Sequence, residues 1–354
     1  MTQLNYESMI QTALLDLDTM QNPGFKANLK AFAKTILKRS SANKDMIFWP
    51  MGMLFLGLSY ANCSQDIIQQ KLLSYTEKWS KKTDMKVSYV DDSVFGFASI
   101  RLYKQTGNAI YRFTGDKIFN FLKAYKKNPQ GSIIYNEKAG NDYVFADGAG
   151  ETAMFLSKYG DEIGVDEASA LSATQLLNFY KNGIDLHTGL PYHAFSLSED
   201  KKLGLVGWSR AMGWLLMGYS EFLSSKKNLL SHETSKAYDE LHKQFISLCD
   251  VTLKYVRPDG GFSWMLQAIE GEADTSATAM IGYSMKKALN SNLYDRPEII
   301  KSAVTRMEMF IISNTNDGSV NQSLSGCEDL AVHRQVYDHY PWGQGPALAL
   351  LSME

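Results

Sequence analysis

The chain has 354 residues, 45% of them hydrophobic and 21% charged, enough apolar material for a substantial core and too much for a disordered chain. Its formal net charge is −2, so it lacks the electrostatic footprint of a nucleic-acid binder or of a protein held to an anionic membrane. Its three cysteines, Cys63, Cys249 and Cys327, lie far apart and form no C-x-x-C pair, and neither a disulfide framework nor a zinc site is suggested.

The N-terminal segment has no basic stretch followed by a continuous apolar run, so no secretion signal is read there. Residues 46–61 (MIFWPMGMLFLGLSYA) are too short, and too broken by Pro50 and glycines, to cross a membrane. A cytoplasmic protein, monomer or homodimer, is expected.

Helical periodicity dominates the remainder. Residues 92–107 carry Val94, Phe97, Ile100 and Leu102 and stop at Gly107, a suitable residue just past a helix end. Ile118, Phe121, Leu122 and Tyr125 continue the pattern until Pro129. Trp208, Met212, Leu215, Tyr219 and Phe222 recur at steps of four and three on one apolar face. Residues 274–290 open on an Asp/Thr cap and close on Lys286-Lys287, which suits the C-terminal end of the helix dipole. Such segments number about twelve or thirteen, roughly 55–60 residues per pair. Extended-looking stretches are few: KVSYV, GSIIY and LPYHAF. An all-α fold is expected, one (α/α)6 barrel of six helical hairpins over residues 1–354; a bundle or open solenoid would satisfy the same periodicity.

Five loops place polar and aromatic groups at a helix entrance: FWPMG (48–52), YVDDS (89–93), FADGAGE (145–151), YHAFS with GWSRAMGW (192–196, 207–214), and GGFSWMLQ through EADTSA (260–277). In a toroid, helix starts of one direction gather at one end, so these loops can share a pocket. Trp49, Trp208, Trp214 and Trp264 would then stack on a sugar ring. Asp91, Asp92 and Asp147 would serve as acid/base groups, and His193 and Arg210 would meet a polar or anionic substrate. Each has an ordinary reading too: Trp214 as core, Asp91-Asp92 as a helix cap, His193 as a structural histidine, Arg210 as half of an ion pair.

The ordered set WPMGMLFLGL, VDDSVFGFASIRLYKQTG, FADGAGETAMFLSKYG, YHAF, GWSRAMGWLLMGYSEFL, EADTSATAMIGYSMKKAL and YPWGQGPALALL resembles glycoside hydrolase family 105, the unsaturated rhamnogalacturonyl hydrolases, and the related family 88 of unsaturated glucuronyl hydrolases. The resemblance runs from about residue 48 to the C-terminus, and W-x-R-A-M-G-W is its most specific piece. It implies the (α/α)6 barrel. It implies Asp147 as catalytic acid/base, followed by Phe155, Leu156, Tyr159 and Gly160 of the family's ending, and Asp91 as the second aspartate, with Asp92 as the alternative. It implies that His193, Trp208 and Arg210 line the substrate site, with Trp49 and Trp264 as pocket aromatics, and that no metal or organic cofactor is needed.

One departure stands out. Where the family carries bulky apolar residues after its aspartate, this chain has Gly148-Ala149-Gly150-Glu151. Glu151, one turn beyond Asp147, is expected to raise the pKa of Asp147 by like-charge repulsion, or to mark different substrate chemistry. The glycines are expected to leave room for a sugar ring and water. The chemistry implied is hydration of the C4=C5 double bond of a 4,5-unsaturated uronic acid ending a small oligosaccharide. Two alternatives stay open: a conventional, mannanase-like glycosidase working through Asp91 and Asp92, and a non-catalytic glycan-binding barrel.

Overall fold

A computed structural model describes residues 3–21, 46–62, 65–225, 232–327, 330 and 333–354; Cys63 lies outside them. The described residues hold twelve α-helices: α1 Gln3–Gln21, α2 Trp49–Tyr60, α3 Gln65–Thr83, α4 Ser93–Thr106, α5 Ala109–Ala124, α6 Ala146–Tyr159, α7 Asp166–Gly183, α8 Ser209–Leu223, α9 His232–Leu253, α10 Thr275–Asn290, α11 Pro297–Ser313 and α12 Pro341–Ser352.

Two kinds of helix alternate along the chain, and the sequence explains both. The even-numbered helices are apolar or small on every side, the pattern of a helix buried all round. All fifteen residues of α8 are buried, as are ten of twelve in α2. Odd-numbered helices bury one face only: α5 buries Tyr111, Thr114, Gly115, Ile118, Phe119 and Leu122, spaced by threes and fours. The even helices pack in order, α2 on α4, α4 on α6, α6 on α8, α8 on α10 and α10 on α12. The last then packs on the first, α12 against α2. That contact closes the ring, and the (α/α)6 barrel expected from the hairpin count is the fold observed.

Closure requires close approach. A Cβ on Gly57 in α2 would stand 2.5 Å from the carbonyl oxygen of Gly345 in α12, so the two backbones meet where neither has a side chain. Within the ring, Glu221 of α8 pairs with Lys287 of α10 at 2.7 Å and accepts a hydrogen bond from Tyr283 of α10. Tyr283 in turn meets Tyr60 of α2 at 2.6 Å. A buried charge costs stability unless paired, and this one is paired only when α8 and α10 are together, with Tyr60 extending the network to α2.

Because an outer helix returns the chain after each inner one, all six inner helices start at the same end. That end also carries the strands. β1 (Val144–Phe145), β2 (Tyr192–Ser196) and β3 (Lys201–Val206) form an antiparallel sheet with β2 in the middle. Of the extended stretches expected, LPYHAF supplies all but the last residue of β2; KVSYV is not a strand, and GSIIY contributes a single bridge, Ile133 to Lys127. Two further hairpins follow, β4 (Thr315–Asn316) with β5 (Ser319–Val320) and β6 (Ser323–Leu324) with β7 (Tyr337–Asp338).

Candidate active site

The inner-helix starts are joined by side chains into one constellation. At α4, the 3-10 turn Val90–Asp92 presents Asp91, 8% exposed, whose Oδ2 accepts a hydrogen bond from the Tyr135 hydroxyl at 3.2 Å. The Asp92 carboxylate turns the other way: it accepts the backbone N–H groups of Ser88 and Tyr89 at 2.9 and 3.0 Å and is fully buried. Asp92 therefore holds the turn that displays Asp91.

At α6, β1 runs directly into the helix. Its pairing with β2, Phe145 opposite Ala194, sets His193 beside Asp147. His193 Nε2 lies 3.8 Å from Asp147 Oδ2, with the Asp147 side chain 15% exposed and the histidine buried. The imidazole is wedged edge-on between Phe145 at 5.1 Å and Trp208 at 4.6 Å. Burial works against a charged ring, but the contacts with Asp147 and Cys327 outweigh it, and the His193 pKa is pushed up to about 10.

Glu151 is buried one turn further along α6. Burial, then the charges of Asp91, Asp147 and Asp92, holds its carboxyl well above the usual carboxylate range. Its Oε2 and the Oδ1 of Asp147 are buried with no hydrogen-bond partner among the described residues, and orphaned buried acceptors in a cluster are where a bound molecule is expected.

The glycines between Asp147 and Glu151 do not open space for a ligand. A Cβ on Gly148 would meet the ring of Tyr135 at 2.7 Å, and one on Gly150 would meet the backbone of Trp214 and Leu215 in α8. Gly148 seats the tyrosine that binds Asp91, and Gly150 lets two inner helices touch.

At α8, Trp208 is the N-cap and only 2% exposed. Its ring packs on His193, on His333 at 4.7 Å, and under the Arg210 guanidinium at 4.8 Å. Arg210 is buried, 3.6 Å from Asp274 at the N-cap of α10, and donates to the carbonyls of Leu324 and Ser325 at 2.8 and 2.7 Å. Arg210 thereby ties α8, α10 and β6 together. Trp264 is half-buried, 5.9 Å from His333, and its carbonyl accepts the N–H of Ser209 at 2.9 Å. Trp49, half-buried at the start of α2, lies 4.8 Å from Trp342 of α12, and the Trp342 indole donates to the Leu324 carbonyl at 2.8 Å. Trp214, 3% exposed, is core.

Asp91, Asp147, Glu151, His193, Trp208 and Arg210 thus follow one another around one end of the barrel, with Trp49 and Trp264 on its margin. Three neighbours escaped the sequence reading. Tyr135 sits in an irregular loop. Cys327 and His333 lie between β6 and β7, more than a hundred residues from His193, with no local pattern to mark them.

Comparison with known proteins agrees with this architecture. The signature of Glycosyl Hydrolase Family 88 matches residues 25–354. The chain belongs to this family. It is a glycoside hydrolase, as the motif order implied. Among curated proteins none matches significantly. Solved structures share the fold at low identity. A possible family 105 member from Klebsiella pneumoniae is 15% identical, covering 99% of this chain and 93% of that one, at a TM-score of 0.79. A family 105 glycoside hydrolase from C. acetobutylicum is 21% identical, with coverage of 91% and 98% and a TM-score of 0.70. An unsaturated glucuronyl hydrolase from a Bacillus species, responsible for glycosaminoglycan degradation, is 14% identical, with coverage of 98% and 96% and a TM-score of 0.68. No helix among the described residues is long and apolar enough to cross a membrane.

Proposed function

We propose that this family 88 hydrolase hydrates the C4=C5 bond of a 4,5-unsaturated uronic acid at the end of a di- or oligosaccharide, with Asp147 as acid/base and Asp91 as the second carboxylate. The double bond is a vinyl ether. A proton delivered to C4 leaves an oxocarbenium-like centre at C5; water adds there and returns a proton to the carboxylate. The hemiketal then opens and the neighbouring sugar is released.

The observation that supports this reading is a carboxyl cluster in which one member, Glu151, is pushed toward its protonated form. Glu151, buried against Asp91 and Asp147, has its pKa raised by that burial and those charges. A carboxyl pushed toward its protonated form one helical turn from Asp147 gives the site a proton source for the acid/base step. His193, 3.8 Å from Asp147, places a donor where the substrate carboxylate would be received. The half-buried rings of Trp49 and Trp264 would flank the sugars. Trp208, Arg210 and Asp92 act through position: Trp208 backs His193, Arg210 fixes Trp208 and β6, and Asp92 fixes the turn bearing Asp91. The glycosidase reading through Asp91 and Asp92 has less support, because the Asp92 carboxylate is occupied by two backbone N–H groups.

The test is the ultraviolet absorbance of the conjugated enol carboxylate in unsaturated glucuronyl and galacturonyl disaccharides. Wild-type protein should remove it from at least one of them, and Asp147→Asn should lower turnover by at least roughly 10²-fold, as for loss of an acid/base group. An unchanged signal across both substrate types, from folded protein, would overturn the proposal in favour of a saturated glycan.

A further inference from the structure

Outside the carboxyl cluster, one group of side chains among the described residues has the chemistry of a metal site. His193, Cys327 and His333 each offer one ligand atom, and the three atoms lie within 4.8 Å of one another. The Cys327 sulfur is 4.0 Å from His193 Nε2. Tetrahedral zinc bound at about 2.0–2.1 Å to nitrogen and about 2.3 Å to sulfur spaces its donors roughly 3.3–3.7 Å apart. The Cys327–His193 side exceeds this by about half an ångström, and no side exceeds it by more than roughly 1.5 Å.

The two sides of the triangle differ in how they are held. His193 is fixed by the central strand of the sheet and by the rings of Phe145 and Trp208. Cys327 and His333 belong to the connection between β6 and β7. That connection is tied down where Ser325 and Val336 pair at 2.8 Å and where Leu205 donates to the Leu330 carbonyl at 3.2 Å. Cys327 and His333 lie between Ser325 and Val336, on either side of Leu330. Cys327 is in no disulfide.

A second observation points to a ligand. Both ring nitrogens of His333 are buried with no hydrogen-bond partner among the described residues. In a neutral imidazole one of these nitrogens carries a lone pair, and a bound cation would take it. Two imidazoles and a thiol are borderline-soft donors, suited to zinc rather than to magnesium or calcium, which take oxygen ligands.

We propose that His193, Cys327 and His333 form a binding site for one zinc ion, and that its occupation switches off turnover by taking the His193 nitrogen that faces Asp147. Binding releases to solvent the Cys327 thiol proton and, from a charged His193, the imidazolium proton as well, so the metal and a protonated His193 are mutually exclusive. The fourth position is left to water. The effect on turnover rests on the proposed function; the binding of zinc does not.

The experiment uses the full chain, stripped of metal by a chelator. Zinc is titrated against a chromophoric competitor, and cobalt(II) is used as the spectroscopic probe. One zinc per chain is expected, with a thiolate-to-cobalt charge-transfer band that is absent in Cys327→Ser. Cys327→Ser and His333→Ala should each weaken zinc by more than the roughly 10–100-fold commanded by outer-shell partners, with far-ultraviolet circular dichroism reporting that they fold. Absence of stoichiometric binding, or binding that Cys327→Ser leaves intact, overturns the site. In turnover assays zinc should stop the wild type, a chelator should restore it, and Cys327→Ser should resist zinc. Turnover that continues with the site saturated overturns the switch. If zinc binds with these signatures and no unsaturated uronide is consumed, the metal site stands and the functional proposal falls.

Discussion

Replacing Gly150 by alanine isolates the reason for the unusual sequence after Asp147. A new Cβ there would stand 2.9 Å from the Leu215 amide nitrogen and closer still to the Trp214 carbonyl, where ordinary contact begins at 3.4 Å. The obstacle is backbone, so no side-chain rotation relieves it. The facing glycine, Gly218, is equally tight, its Cβ position 2.9 Å from the Gly150 carbonyl oxygen. The helices α6 and α8 would have to part by roughly 1 Å in an interior packed as densely as a crystal. Overpacking of this kind costs about 1–3 kcal/mol, while Gly→Ala in a helix otherwise gains about 1 kcal/mol. Contact with backbone on both sides puts the loss at the upper end, leaving a net destabilisation of about 2 kcal/mol, or a fall in Tm of about 2–4 °C for a chain of this size. Since α6 carries Asp147 and Glu151, a displacement of this order should also cost about 10²-fold in kcat. Thermal unfolding followed by circular dichroism, together with turnover, reads both. A Tm at or above that of the wild type would refute the reasoning, because it would mean that the two helices have room to spare.

Glu151→Gln tests the buried carboxyl. A folded-state pKa above the unfolded value means that the native state keeps a proton the unfolded chain gives up, so wild-type stability falls as pH rises above the ordinary glutamate range. The glutamine variant lacks that slope and should gain stability relative to wild type as pH rises; parallel curves of unfolding free energy against pH would show that Glu151 is not held protonated. Arg210→Met leaves Asp274 buried without its cation and the Leu324 and Ser325 carbonyls without their donor. Urea unfolding should show a loss of about 3–5 kcal/mol, partly recovered when Asp274→Asn is added. A loss below about 1 kcal/mol would mean that the pair does not hold α8 to α10.

What could be read from the sequence was what repeats. The count of helical segments, taken as hairpins, carried the barrel, and Gly107, with φ of 68°, ends α4 where its position implied. Helix α5 ends earlier than Pro129 suggested, at Ala124, because the Lys127 ammonium folds back on the carbonyls of Leu122, Lys123 and Tyr125. Strand β2 was legible as LPYHAF, but its partner β3, rich in lysine and glycine, carries no alternating pattern. At the candidate site, residues at helix starts could be ranked from sequence. Their partners could not, because Tyr135, Cys327 and His333 reach the site by tertiary contact from irregular loops. Even the glycines beside Asp147 called for the facing helix before their purpose could be seen.

The central claim is that the bond attacked first is the C4=C5 double bond. Turnover of an unsaturated uronyl disaccharide in deuterium oxide, followed by proton NMR of the first product, tests it directly. Loss of the vinyl proton signal with deuterium entering at C4 is expected, at a rate abolished in Asp147→Asn. Release of the neighbouring sugar while the double bond survives in the first product would contradict it and return the chain to ordinary glycosidase chemistry.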